Sequence, residues 1–177
     1  NVTGTANIVN FCLDSGVKKL LNVSSIATLG DAGTNGLIDE KSDWEEGKQN
    51  SMYAVSKQGA EMEVYRGIAE GLNAVIVNPG IILGEGDDGR SSSNLFRMVN
   101  EEFPYYTNGI TAWVDVKDVV DSMICLMEQD ISNERFIVSC GNFSYRDILT
   151  AIAIAMGKKA PHRAASKFMT AFVWRLA

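Results

Sequence analysis

Two apolar strands separated by a long helix constrain the fold more than any other feature of this sequence. Residues 73–78 carry the run Ala-Val-Ile-Val, which is typical of a strand buried on both faces. Residues 18–25 predict an earlier strand, and residues 51–71 between the two predict a long helix. A further helix is predicted over residues 2–15. This alternation of helices and strands predicts an α/β fold with a parallel sheet.

Polar and turn-forming residues follow both predicted strands. Ser24 and Ser25 end the first strand, and Asn78-Pro79-Gly80 ends the second. Ligands of open parallel sheets bind outside the carboxyl ends of the strands. We therefore expect a ligand site at these two strand ends.

Tyr53 and Lys57 lie four residues apart near the start of the long helix, so they share one face of it. The ammonium of Lys57 would favour the ionised form of the Tyr53 phenol. Tyr53 could then donate and accept protons near neutral pH. The alternative is an ordinary exposed pair, because so short a motif is weak evidence by itself.

Composition excludes several classes of function. The formal net charge of -6, without a basic cluster, argues against nucleic acid and anionic membranes as partners. No apolar run approaches the length of about 18 residues that a membrane span needs. His162 is the single histidine, so we expect no metal site. Cys12, Cys125 and Cys140 are interpreted as buried free thiols, which predicts a cytoplasmic protein.

The second half of the chain predicts mixed structure. We expect a helix over 91–102, a hairpin over 105–113 that turns at Asn108-Gly109, and a helix after Asp115 with a regular apolar stripe. A strand at 135–139 and a helix capped by Ser144 and Asp147 follow. The final segment, 165–177, is predicted to pack its apolar face against the core or as a lid.

Residues Gly84 to Gly89 match the glycine spacing of a dinucleotide-binding loop. We interpret them as a flexible turn instead. The acidic residues Glu85, Asp87 and Asp88 would repel a pyrophosphate.

Taken together, the motifs resemble the extended short-chain dehydrogenases/reductases, the NAD-dependent epimerase/dehydratase family. The matching segments follow the family's order: Asn1-Val-Thr-Gly-Thr5, Val23-Ser-Ser25 with Gly30, Tyr53-x-x-x-Lys57, Asn78-Pro79 with Gly84, and Val114-Asp-Val-Lys-Asp118. The resemblance implies the C-terminal part of a Rossmann-type doubly wound parallel sheet plus a small mixed α/β substrate-binding region. By the same resemblance, residues 1–83 would form the catalytic half of the Rossmann-like domain. Residues 84–177 would form mainly a substrate-binding or lid region, interleaved with the last sheet elements.

The resemblance also implies roles for individual residues. Tyr53 would be the general acid/base, Lys57 would assist it and bind the nicotinamide ribose, and Ser25 would bond the reacting oxygen. The residues implied to contact the cofactor are Tyr53 and Lys57 themselves, together with Ser24, Pro79, Gly80 and Ile82. The cofactor would be NAD or NADP, and no metal is implied.

Within the family, the reaction is less constrained. Dehydratases carry an Asp-Glu pair where this chain has Ile26 and Ala27, so we do not expect dehydration. A reductase of free carbonyl compounds is favoured by Ser25-Ile-Ala and by the aromatics Phe103, Tyr105 and Tyr106. A nucleotide-sugar epimerase is the alternative, and a dinucleotide-sensing or dimerising module is the non-enzyme alternative.

The family's plan places a glycine-rich cofactor-binding part before Asn1, so we expect this chain to be a fragment that is inactive alone. It also implies a homodimer formed by the first helix and the long helix.

Overall fold

The computed structural model describes residues 1–30, 36–45, 47, 50–86 and 92–165. The chain divides into two compact units. The first contains residues 1–80 and 117–139, and the second contains residues 81–116 and, among the described residues, 140–165. The functional division expected at residue 83 stays a prediction.

The helices are α1 (Val2–Asp14), α2 (Met52–Ala69), α3 (Ser93–Asn100), α4 (Val116–Glu128) and α5 (Tyr145–Met156). The strands are β1 (Leu20–Val23), β2 (Ala74–Pro79), β3 (Ile81–Leu83), β4 (Tyr105–Tyr106), β5 (Ile110–Asp115), β6 (Glu134–Val138), β7 (Gly141–Ser144) and β8 (Arg163–Ala164). A 3₁₀ turn (Ile26–Thr28) follows β1. The helices and strands predicted in the first 80 residues are confirmed, with ends that differ by one to two residues in most cases.

The first unit contains a parallel sheet in the order β1-β2-β6, which confirms the α/β prediction. Its register pairs Val23 with Val77 and Asn78 with Ile137. Every residue of β2 is buried. The apolar run of the sequence is therefore the central strand.

Helices α1 and α2 pack against each other in the first unit. Their shared core cluster contains Val9, Cys12, Val64, Leu72, Ala74 and Ile76. Gly67 of α2 allows the close approach, since a Cβ there would lie 2.6 Å from Val9 Cγ1 and 3.1 Å from Leu72 Cδ2.

Two serines cap helices, and the cap at Ser144 is the one that the sequence predicts. Ser51 begins α2 because its Oγ accepts a hydrogen bond from the Ala54 N–H at 3.1 Å. Ser144 does the same for α5 with the Asp147 N–H at 3.1 Å. Gly157 ends α5 in the left-handed region, at φ 64°.

In the second unit, β5 is the central strand of the sheet β3-β5-β7. It runs parallel to β3 and antiparallel to β7. Trp113 of β5 is 1% exposed, donates its indole N–H to the Phe143 carbonyl at 3.0 Å, and meets the Tyr145 ring edge-on. Helices α3 and α5 pack on each other around Val99, Leu149, Ile152 and Ala153.

The predicted hairpin over 105–113 was wrong. Strand β4 pairs with β8, whereas β5 pairs with β3 and β7. A type I′ turn needs positive φ at both central residues, and neither Asn108 nor Gly109 has one. The Gly109 carbonyl instead accepts a hydrogen bond from the Tyr145 N–H at 3.0 Å. Pairing with strands that are distant in sequence therefore prevails over the local preference of Asn-Gly for a hairpin turn.

The expectation of three buried thiols was right only for Cys12. All three cysteines are free, but Cys125 and Cys140 are exposed. Cys125 lies on α4 and its Sγ accepts a hydrogen bond from the Gln129 side chain at 2.9 Å.

The apolar stripe predicted for α4 is mostly exposed in the structure. Val119 is buried, whereas Val120, Ile124 and Met127 are exposed. Leu126 supplies the other buried side chain of the helix. Among the described helices, none is long and apolar enough to cross a membrane.

Substituting Gly67 by Ala should destabilise the chain, because the added methyl group would collide with Val9 and Leu72 between two packed helices. We expect the free energy of unfolding to fall by about 1–3 kcal/mol in urea titrations. Gly4→Ala in α1 is the matched control, since a Cβ there has no atom within 4 Å. It should raise stability by about 0.5–1 kcal/mol. A Gly67→Ala variant as stable as Gly4→Ala would contradict this packing.

Candidate functional site

The carboxyl ends of β1 and β2 lie side by side, as the sequence predicts. The Ser24 N–H donates to the Val77 carbonyl at 2.8 Å, which continues the parallel pairing one residue past β1. Ser24-Ser25 and Asn78-Pro79 therefore meet at one edge of the sheet.

Ser25 begins the 3₁₀ turn that follows β1. Its backbone is extended, and its Oγ accepts a hydrogen bond from the Ala27 N–H at 3.2 Å. The side chain is half-buried. Because that bond uses Ser25 Oγ as an acceptor, the hydroxyl proton can be donated to a ligand oxygen.

The first turns of α2 face this strand end. Lys57 Nζ donates to the Val23 carbonyl at 3.0 Å, directly before Ser24. Tyr53 lies one turn earlier on the same helix face and is 53% exposed. The structure thus brings Lys57 to the serines and leaves the Tyr53 ring accessible. The catalytic roles of all three residues stay predictions.

One residue of the site was missed by the sequence analysis. Glu61 of α2 is 1% exposed, and its Oε2 accepts hydrogen bonds from Ser24 Oγ at 2.6 Å and Asn78 Nδ2 at 3.1 Å. The Thr28 hydroxyl lies 2.8 Å from the same oxygen. The side chain of Ser24, expected to face the cofactor, is thus bonded to a buried carboxylate. Its contact with the cofactor stays a prediction.

The other oxygen of Glu61 faces a cation. Arg135 of β6 lies 3.4 Å from Glu61 Oε1 and also donates to the backbone carbonyls of Glu40 at 2.6 Å and Ser42 at 2.7 Å. The Ile137 N–H bonds the Glu40 side chain at 3.0 Å. Residues 40–42 are thereby attached to β6.

A signal for Glu61 was present in the sequence. Tyr53, Lys57, Glu61 and Tyr65 recur every four residues, which places all of them on one helix face.

The other residues expected near the cofactor occupy different units. Pro79 is buried at the end of β2, and the half-buried Gly80 donates its N–H to the Val138 carbonyl at 3.0 Å. Both belong to the first unit. Ile82 lies in β3 of the second unit, opposite Val114.

A cavity of about 730 Å³ lies within the second unit. Its apolar lining includes Leu83, Phe96 and Met156, and its charged lining among the described residues consists of Arg97, Glu85 and Asp115. Gly84 to Gly86 border it, whereas residues 87–89 of the rejected glycine motif lie outside the described residues. Within the described parts of the chain, no cluster of three or more His, Cys, Asp or Glu residues could hold a metal ion.

Comparison with known protein families decides the assignment. Residues 1–140 match the model of the NAD dependent epimerase/dehydratase family. The chain belongs to this family. The strand-end serines, Tyr53 and Lys57 all lie within the matched region.

Relatives in the NAD dependent epimerase/dehydratase family carry different names. The chain is 28% identical over 167 residues to a Synechocystis sp. protein with the provisional name dihydroflavonol 4-reductase, covering 91% of this chain and 49% of that protein. It is 28% identical over 165 residues to the UDP-glucose 4-epimerase of Vibrio cholerae, covering 89% of this chain and 49% of that protein. The chain therefore spans about half the length of these curated relatives.

A solved structure shows the same fold. The UDP-glucose 4-epimerase of Thermus thermophilus, in complex with NAD, superposes with a TM-score of 0.73 at 23% identity. The match covers 92% of this chain and 55% of the epimerase.

Stability should depend on Tyr65 at alkaline pH. Burial, and after it the charge of Glu61, raise the pKa of the Tyr65 phenol above its usual value of about 10. The folded chain thus holds this proton more tightly than the unfolded chain, so the resulting stability is present at neutral pH. It is lost as the pH rises above about 10 and through the folded pKa.

In urea titrations, the free energy of unfolding of Tyr65→Phe should fall less steeply above about pH 10 than that of the unsubstituted chain. Equal slopes for the two proteins would contradict this assignment.

Proposed function

We propose that this chain carries the catalytic residues of an NAD(P)-dependent oxidoreductase acting on a carbonyl or hydroxyl group. The observation that carries the proposal is the bond from Lys57 Nζ to the Val23 carbonyl. It holds the ammonium at the strand end that bears Ser25, one helical turn from Tyr53.

The residues present fit a bound nicotinamide ribose. A lysine ammonium has three N–H donors, and Lys57 uses one of them on Val23. The other two can donate to ribose hydroxyls. When bound, the reduced cofactor supplies the hydride that joins the carbonyl carbon.

Side chains of this protein would transfer the proton that the carbonyl oxygen receives. Ser25 Oγ donates a hydrogen bond to the carbonyl oxygen and orients it. Tyr53 gives its phenolic proton to that oxygen as the hydride reaches carbon, so that an alcohol forms. In the reverse direction Tyr53 accepts the proton. Lys57 stabilises the phenolate that is left behind.

A reductase fits better than a dehydratase or an epimerase. Ile26 and Ala27 follow Ser25 in the 3₁₀ turn, and neither can act as an acid or base in the elimination of water. The cavity of the second unit is lined, among the described residues, by two carboxylates, Glu85 and Asp115, and by the single cation Arg97. That balance disfavours binding of a nucleoside diphosphate there.

The epimerase stays the second candidate, since the two relatives named above are equally similar to this chain. Turnover of a nucleotide sugar without net consumption of cofactor would favour it. A dinucleotide-sensing module is the non-enzyme candidate, and binding without any turnover would favour that.

The proposal is tested by Tyr53→Phe in the full-length gene product. We expect kcat to fall by about 10²–10⁴-fold with either NADH or NADPH, because the phenylalanine has no proton to transfer. Tyr145→Phe is the control, since Tyr145 packs on Trp113 and lies outside the proposed site. Tyr53→Phe with unchanged kcat would rule out the assigned chemistry.

A cytoplasmic homodimer is the proposed assembly. Helices α1 and α2 pack together, and each exposes apolar side chains, including Ile8 and Phe11 on α1 and Val55 and Met62 on α2. Phe11 is 68% exposed, a large area for an isolated aromatic ring. These side chains are the ones that a second copy of the chain would cover.

Sedimentation should show a dimer for the unsubstituted gene product. Phe11→Lys should give a monomer or a much weaker dimer, because burying an unpaired charge at the interface costs free energy. Val120→Lys introduces the same charge at an exposed apolar position of α4 and should stay dimeric. A monomeric unsubstituted protein would contradict the proposed assembly.

A further inference from the structure

We infer that Glu61 is a positioning residue, a buried carboxylate that fixes the ends of β1 and β2 so that Ser25 is held for proton transfer. The inference rests on the proposed function above. Glu61 itself is 1% exposed and is separated from solvent, so it acts through the residues that it binds.

Four side chains offset the burial of Glu61. Ser24, Thr28 and Asn78 surround Oε2 at 2.6–3.1 Å, and Arg135 faces Oε1 at 3.4 Å. An uncompensated buried charge is strongly destabilising, and a fully bonded one is rarely better than an apolar side chain of the same size. The partners of Glu61 Oε2 are polar groups of two strand ends, so its bonds offset their burial and also fix their positions.

The partners of Glu61 lead directly to Ser25. Asn78 Nδ2 donates to the Ser25 carbonyl at 3.1 Å, and Thr28 Oγ1 lies 2.9 Å from the same carbonyl. Asn78 has two N–H donors, so it can bind the Ser25 carbonyl and Glu61 together, whereas the single hydroxyl proton of Thr28 serves one of the two oxygens. Ser24, which donates to Glu61, is the residue directly before it.

Arg135 extends the same network to residues 40–42. Its guanidinium bonds two carbonyls of that segment and pairs with Glu61. A single carboxylate therefore connects the turn after β1, the end of β2 and the segment held by β6. Losing it would loosen the backbone that presents Ser25, while Tyr53 and Lys57 stay on α2.

The test is Glu61→Gln in the full-length gene product. Glutamine has the same size, but it loses the charge and must direct an NH₂ group toward the donors of Ser24 and Asn78 or toward Arg135. A small displacement of a catalytic group can lower the rate by about 10²-fold. We expect kcat to fall by about 10–100-fold, with KM for cofactor and for substrate changing less than about threefold.

Glu63→Gln is the matched control. It removes a carboxylate from the same helix, but Glu63 forms a surface ion pair with Arg66. Its kcat should equal that of the unsubstituted protein. Glu61→Asp, which keeps the charge on a shorter side chain, should recover part of the lost kcat. Activity is compared at a temperature at which urea titrations show each variant to be folded.

A double-mutant cycle with Ser24→Ala separates positioning from general destabilisation. If Glu61 acts through the strand end, Ser24→Ala lowers kcat, and the double variant is hardly slower than Glu61→Gln alone. Fully additive losses would overturn the inference, as would a folded Glu61→Gln variant with kcat within about twofold of the unsubstituted protein.

Should Glu61→Gln fail to fold, Ser24→Ala alone provides the test, since it removes one hydroxyl. An unchanged kcat in that variant would also overturn the inference. Failure of the proposed function is recognised separately, because Tyr53→Phe would then keep its activity.

Discussion

The parallel pairing of β1 with β2 is the constraint on which the site depends. Parallel strands end at the same edge of a sheet, so Ser24-Ser25 and Asn78-Pro79 meet although about 50 residues separate them in the chain. The intervening helix returns the chain to the start of β2 and places Lys57 against the end of β1. β2 lies completely buried between its two neighbours, β1 and β6.

The pairing of β1 with β2 buries polar side chains at the strand ends, and Glu61 supplies their hydrogen-bond acceptor. Buried hydroxyl and amide groups cost free energy unless they are hydrogen-bonded. The hydroxyl groups of Ser24 and Thr28 and the amide of Asn78 all lie at the covered strand ends and bond one carboxylate. Arg135 then balances its charge. The stability of the chain and the geometry of the site therefore depend on the same few atoms. A stability measurement alone cannot separate the stabilising role of Glu61 from its positioning role, whereas coupling between variants in kcat can.

Much of this arrangement could be predicted from the sequence. Long periodic segments and the buried run of β2 predict their elements directly, and the positions of Ser24 and Lys57 relative to the strand ends follow from parallel topology. The hairpin predicted at Asn108-Gly109 was wrong, because β4 and β5 pair with strands distant in sequence instead of with each other. Glu61 was missed because a glutamate on a helix normally faces solvent, and its burial depends on partners from β1, β2 and β6.

Pro79 has a consequence for the shape of this sheet edge. It is the last residue of β2, where it pairs with Val138 of β6, and it has no N–H. The β1 side of the ladder already ends at Val23 and Val77, with one more bond from Ser24. Because Pro79 has no N–H to donate, backbone bonding between β1 and β2 stops after the Ser24 bond, whereas Gly80 still donates to the Val138 carbonyl on the β6 side. Beyond that point Ser25 is held to β2 by a side chain, because its carbonyl accepts a hydrogen bond from Asn78 Nδ2 at 3.1 Å.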